Sequence, residues 1–161
     1  MKVSPFIQKL QAAPAESYSP PTPPAVGWYF VYGTLKDPAL LAEILSLSQT
    51  PPLPLYPAKL TGYSLKLWGQ YPALVDGYPG QEVQGMAVRI DEQRHADRLA
   101  EYETKAYRCA PCLIRFVGED GSDIDKQVKG SVFKYAGNLD DLADGQFDLD
   151  HWLRLMGRKK E

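Results

Sequence analysis

The segment Phe30–Leu40 reads FVYGTLKDPAL. Together with the residues before it, it begins as WYFVY (Trp28–Tyr32), aromatic and β-branched throughout, the composition of a strand buried on both faces. The run stops at Gly33 rather than at a polar turn. Shortly afterwards Asp37 and Pro38 supply an N-cap and a first helical position, and Leu40, Leu41, Ile44 and Leu45 fall on one face of the helix that follows. A strand that ends at glycine and turns into a helix leaves the backbone N–H groups of Gly33, Thr34 and Leu35 without sheet partners. Glycine permits dihedrals that aim such donors at one point, and the helix N-terminus adds a dipole favourable to a carboxylate or a developing oxyanion. The same letters also suit an ordinary strand-to-helix turn, with Tyr32 as a core aromatic. The loop becomes half of a site only if another segment brings a reactive group to it.

The second helix offers one. Asp91 is placed to cap EQRHADRLAEYE, and the turn of about 100° per residue arranges its side chains around the axis. With Ala96 at the origin, Leu99 and Ala100 lie within about 60° on either side, Glu103 falls between them, and Glu101 points the opposite way. Glu103 is thus a carboxylate in the middle of an apolar stripe, which costs several kcal/mol unless it is paired or neutralised. Two readings are open. Glu103 pairs with Lys105 or Arg108, or swings to water from a fraying helix end. Alternatively it faces a partly apolar pocket, where carboxyl groups act as acid or base near neutral pH. On the same wheel His95 lies on the polar side, and both it and His151 read as surface residues.

The rest of the chain sets the frame. Residues 1–25 form an N-terminal segment, with a short amphipathic helix starting at Ser4 and Pro5 and a proline-rich linker over 14–25, PAESYSPPTPPA. Residues 26–161 form the compact domain. Within it AKLTGYSLKL and VQGMAVRI read as strands, as do YRCAPCLIRF and QVKGSVFKY on either side of the turn GEDGSD. FDLDHWLRLMG suits a C-terminal helix that docks through Phe147, Leu149, Trp152, Leu153 and Met156 and ends near Gly157. Short strands interspersed with helices indicate an α+β domain with a small, strongly curved sheet or barrel.

Composition narrows the function. A chain of 161 residues with net charge −2 is one domain, with no electrostatic reason to bind nucleic acid or an anionic membrane. The cysteines, Cys109 and Cys112, form a C-x-x-C pair, but on a strand residues three apart point to opposite faces, and His95 and His151 lie outside ligand spacing. They read as ordinary thiols in a reduced compartment, with no metal role. No segment reaches the length of a transmembrane helix and the N-terminus lacks a signal-peptide pattern, so a soluble, cytoplasmic protein is expected.

FVYGTLKDPAL, then YPALV, VQGMAV and LAEYETKAYRC, taken in order, resemble the γ-glutamylcyclotransferase-like superfamily, closest to its plant and fungal avirulence-induced-gene-like branch, over residues 28–135. The resemblance implies a small mixed β-barrel of five or more strands flanked by helices, with a cavity at one opening. It implies that Tyr32, Gly33, Thr34 and Leu35 form the substrate-binding loop and that Glu103 is the catalytic carboxylate, the residue singled out by the helical wheel. Tyr107 joins as a substrate-binding candidate and Tyr71 as a possible wall, although core packing explains either tyrosine singly. Enzymes of the superfamily release 5-oxoproline from small γ-glutamyl compounds with no metal or organic cofactor. Thr34 stands where serine is commonest, Thr104 where a glycine often follows the catalytic glutamate, and Phe133 or Tyr135 near a position where the family often has tyrosine. The same cavity also suits a non-catalytic module for a small carboxylate or peptide end, or a tailoring enzyme that uses the carboxylate for another proton transfer. The oligomeric state, monomer or dimer, is left open by the sequence.

Overall fold

The structure is a computed structural model that describes residues 24–47 and 53–158. The expected N-terminal helix and all but the last residues of the proline-rich linker lie outside the described residues. Strand β1 (Gly27–Val31) leads through a 3-10 turn (Thr34–Lys36) into α1 (Pro38–Leu45). Strands β2 (Tyr56–Thr61), β3 (Tyr63–Trp68), β4 (Tyr71–Asp76) and β5 (Glu82–Ile90) follow, then α2 (Gln93–Glu103). Strands β6 (Tyr107–Val117) and β7 (Asp123–Tyr135), a second 3-10 turn (Leu139–Asp141) and α3 (Leu149–Leu155) complete the chain.

Five strands close into a barrel in the order β1-β5-β2-β6-β7. The β1–β7 pair that seals it is parallel, with Phe30 opposite Val132, and the other barrel pairs are antiparallel. Strands β3 and β4 form a separate hairpin. This is the α+β barrel with flanking helices that the sequence implies.

Alternation along β1 explains why its whole run is apolar. Phe30 and Tyr32 join Ala58, Leu60, Ala87, Ile114 and Val132, one or more from every barrel strand, with Leu74 of the hairpin. Tyr29 and Val31 face the other way, into the cluster that buries Leu41, Leu45, Leu99, Trp152 and Leu153 of the three helices. A β-carbon on Gly85 of β5 would lie 2.6 Å from the Phe30 ring, so glycine there makes room for that ring in the crowded barrel. Cys109 belongs to the cluster under the helices, whereas Cys112 packs against the barrel-interior one, on opposite faces as strand geometry requires.

The helix starts show where local chemistry was readable. The Asp37 side chain accepts a hydrogen bond from Leu40 N–H at 2.9 Å and caps α1 as expected. For α2 the N-cap is Glu92, not Asp91, and no side chain caps it. The Asp91 carboxylate is instead engaged by Arg89 Nε at 3.1 Å. His95 is a second correction: it is 6% exposed rather than on the surface. The buried stripe of α2 is centred nearer Leu99 than Ala96, which rotates His95 inward. His151 is exposed, and its N–H is capped by Asp148 at 3.1 Å. On α3 Trp152 and Leu153 are buried, while Met156 is 43% exposed and contributes little to docking. Among the described residues no helix is long and apolar enough to cross a membrane.

Candidate active site

A cleft opens where β1 leaves the barrel. Its lining is Tyr29–Leu35 from β1 and the following turn, Pro72 from β4, Leu99 and Glu103 from α2, and Phe133 from β7. Glu103 is half-buried, and it is the only charged side chain in this lining. A carboxylate among apolar walls favours a cationic group of a ligand, and any anionic part of that ligand must find N–H donors instead.

The turn after β1 offers such donors. Lys36 N–H bonds to the Gly33 carbonyl and Asp37 N–H to the Thr34 carbonyl, each at 3.1 Å, which closes the 3-10 turn. The N–H groups of Gly33, Thr34 and Leu35 come first in that turn and have no acceptor within it. Gly33 is required by proximity. A β-carbon there would lie 2.6 Å from Cγ of the rigid Pro72 ring, so glycine lets the β4 proline close against the loop. Its φ of −129° is not left-handed.

The expected loop residues have distinct tasks. The Tyr32 hydroxyl donates to the Phe133 carbonyl and accepts from Leu74 N–H, tying the end of β1 to β7 and β4. Burial pushes its phenol well above the ordinary range, and the nearby Glu103 charge adds to the effect. Leu35 is buried in the cluster under the helices. Thr34 Oγ1 lies 2.7 Å from the Tyr102 hydroxyl. Tyr102 was not singled out by the sequence reading, although it directly precedes Glu103 on the last turn of α2. Burial raises its phenol to about 12 despite the Thr34 hydrogen bond.

Helix α2 stops directly after the carboxylate. Thr104 has φ 64° and ψ −176°, a region essentially reserved for glycine, and its N–H bonds to the Ala100 carbonyl at 3.0 Å. Here is the physical demand behind a glycine at this position, met in this chain by a strained threonine.

Tyr107 stands apart from the lining. It sits on β6 and donates its hydroxyl to the Pro72 carbonyl at 2.8 Å, so it supports the proline wall from behind. Tyr71 is also outside the lining and packs its ring on Trp152, with centroids 6.1 Å apart. Of the two residues considered on the last strand, Phe133 lines the cleft. Tyr135 packs on Trp68 and Tyr107 and donates to the Asn138 carbonyl at 3.2 Å. The cleft therefore brings together Tyr32, Gly33, Thr34, Leu35 and Glu103, and adds Pro72, Leu99 and Phe133.

Known proteins share this architecture. A family model described as "Gamma-glutamyl cyclotransferase, AIG2-like" matches residues 29–154, most of the chain. The solution structure of At5g39720.1 from Arabidopsis thaliana is 24% identical over 83% of this chain and 84% of its own, with a TM-score of 0.57. At3g28950.1 from the same plant is 22% identical over 87% of this chain and 79% of its own, also at 0.57. A structure titled "Gamma-glutamyl cyclotransferase" is 15% identical over 70% of each chain, with a TM-score of 0.50. No curated protein matches the sequence. At these identities the structural likeness speaks for the fold, and the family match over most of the length decides membership: the chain belongs to the AIG2-like gamma-glutamyl cyclotransferase family.

Proposed function

We propose that this protein releases 5-oxoproline from a small γ-glutamyl amine, peptide or thiol conjugate, with Glu103 as general acid and base and the Gly33–Leu35 turn as the anion-binding element. The observation that carries the reading is that Glu103 and Tyr32–Leu35 line one cleft. Family membership supports an enzyme of this kind.

The chemistry accounts for both halves. The α-amine of the glutamyl group must attack its own γ-carbonyl carbon, and as an ammonium it has no lone pair. Glu103 attracts this ammonium and removes one proton. The freed nitrogen then bonds to the γ-carbon, and the carbonyl π pair moves to oxygen. N–H donors of the turn hold the resulting oxyanion or the α-carboxylate. When the tetrahedral centre collapses, the bond to the leaving amine breaks, Glu103 returns its proton to that nitrogen, and the ring nitrogen gives up its second proton to solvent. The products are 5-oxoproline and a free amine, and the atoms balance without oxidant, reductant or added water. Because the reaction is intramolecular, holding the glutamyl chain in its folded conformer supplies much of the acceleration. We place the reaction in the cytoplasm, reading Cys109 and Cys112 as the free thiols of a reducing compartment.

The test is incubation with a panel of γ-glutamyl amines, dipeptides and thiol conjugates, with 5-oxoproline read by mass spectrometry. At least one member is expected to be turned over, and Glu103→Gln is expected to lower kcat by about 10²–10⁴-fold with the melting temperature little changed. Equal turnover by the variant would remove Glu103 from the mechanism. No product from any member, alongside thermal stabilisation by the same compounds, would make the cleft a binding site instead.

A further inference from the structure

The two halves of the cleft come from distant parts of the chain. Thr34 stands in the turn after β1 and Tyr102 on the last turn of α2, 68 positions apart in sequence, and their hydroxyl oxygens are 2.7 Å apart in a partly buried hydrogen bond. Both ends of this bond are anchored. Thr34 is 4% exposed, and the Tyr102 ring packs against the core under the helices. Glu103 follows Tyr102 directly, and the glycine-type conformation of Thr104 ends the helix immediately after it. The carboxylate is therefore bracketed, joined to the loop on one side and cut off from further helix on the other.

We infer that Tyr102 is a positioning residue: its hydrogen bond to Thr34 latches the last turn of α2 to the Gly33–Leu35 loop and sets the reach from the Glu103 carboxylate to the N–H donors. The catalytic half of this inference rests on the cyclotransferase reading above. A single such bond adds little to global stability. Its effect on rate is larger, because small displacements of a reacting group from attack geometry are costly. Phenylalanine at this position keeps the ring and removes only the hydroxyl, which separates latch from packing.

The test uses the full chain with Tyr102→Phe, Thr34→Val and the double variant, read by amide hydrogen exchange and by steady-state kinetics. Tyr102→Phe is expected to accelerate exchange at Lys36, Asp37 and Thr104, whose N–H groups are hydrogen-bonded in the loop turn and at the end of α2, about tenfold, the loss of one hydrogen bond, and to leave Val88 and Ile114 in the barrel unchanged. It is expected to lower kcat about tenfold while KM moves less than about threefold. The double variant should be no slower than Thr34→Val, because both changes remove the same bond. Unchanged exchange in the loop, a uniform rise at all amides, or additive losses in kcat would overturn the latch. If the unsubstituted protein turns over no γ-glutamyl compound, the cyclotransferase reading fails, and exchange alone decides: local acceleration upholds the latch and its absence overturns it.

Discussion

Trp28 stands near the start of β1 and Gly33 just past its end, and the chain is built in opposite ways around them. At the start of the strand, Trp28 meets Phe116 and Tyr56 edge-on, with centroids 5.2 and 6.0 Å away, and Arg89 lies 6.0 Å over the indole. Ring fills space against ring there. Past the far end the side chain vanishes at Gly33, a proline closes in where a β-carbon would have been, and polar groups gather instead: turn N–H groups, the Thr34–Tyr102 pair and Glu103. The lesson is a division of labour along one strand. Apolar packing at the first end holds β1 in the barrel, which frees the second end to keep a carboxylate in one cleft with the turn that carries the N–H donors.

The comparison can be broken most completely with alkali. Burial pushes the phenols of Tyr29, Tyr32 and Tyr107 far up, and it raises those of Tyr102 and Tyr135 to about 12. Each folded-state value lies above the unfolded value of 10.0, so the stability these groups contribute is fully present below pH 10 and is lost as the pH climbs through the folded values. The tyrosinate absorbance of these five rings, read as the part lost on their substitution by phenylalanine, and circular dichroism are expected to change together in one cooperative step above pH 10. Early, non-cooperative ionisation of these tyrosines would show that the cleft end is open to solvent.

Trp28→Ala should cost about 2–4 kcal/mol in denaturant unfolding, somewhat less than a fully buried tryptophan because the ring is half-exposed. Its kcat/KM under folding conditions should be unchanged. A loss of turnover in the folded variant would mean that the two ends are coupled. Gly33→Ala should cost about 1–3 kcal/mol, the usual penalty of overpacking against a group that cannot yield, and here turnover should fall as well because Pro72 and the donors are displaced together. Unchanged stability would show that Pro72 gives way. The smallest effect is expected at Thr104, where Thr104→Gly removes an unfavourable backbone conformation and should stabilise by about 1 kcal/mol, offset in part by glycine's greater unfolded entropy. A destabilised variant would show that the hydrogen bond Thr104 Oγ1 accepts from Ala106 N–H, at 3.3 Å, outweighs the strain.

The sequence disclosed those features that local periodicity encodes. WYFVY announced a doubly buried strand, Asp37-Pro38 a helix start, and the wheel of α2 a misplaced carboxylate, since each depends on neighbours within a turn or a pleat. What stayed hidden depends on approach between distant segments. Nothing near Gly33 in sequence announces Pro72, so the contact that leaves no room for a β-carbon there is not legible in the sequence. Tyr102 carries no signal in the sequence, and only the fold brings Thr34 to 2.7 Å from its hydroxyl. A small error in the centre of the α2 stripe placed His95 outside, and alternation within β1 and β7 could not disclose that these remote strands close the barrel in parallel.

The central claim is that loop and carboxylate act on one molecule. A crystal structure of Glu103→Gln with a bound γ-glutamyl substrate tests it most directly. The account predicts the substrate's α-amine within hydrogen-bonding distance of the residue 103 side chain, and its γ-carbonyl or α-carboxylate oxygen on the N–H groups of Gly33–Leu35. A ligand bound outside this cleft, or one that touches the loop while its amine points away from residue 103, would contradict it.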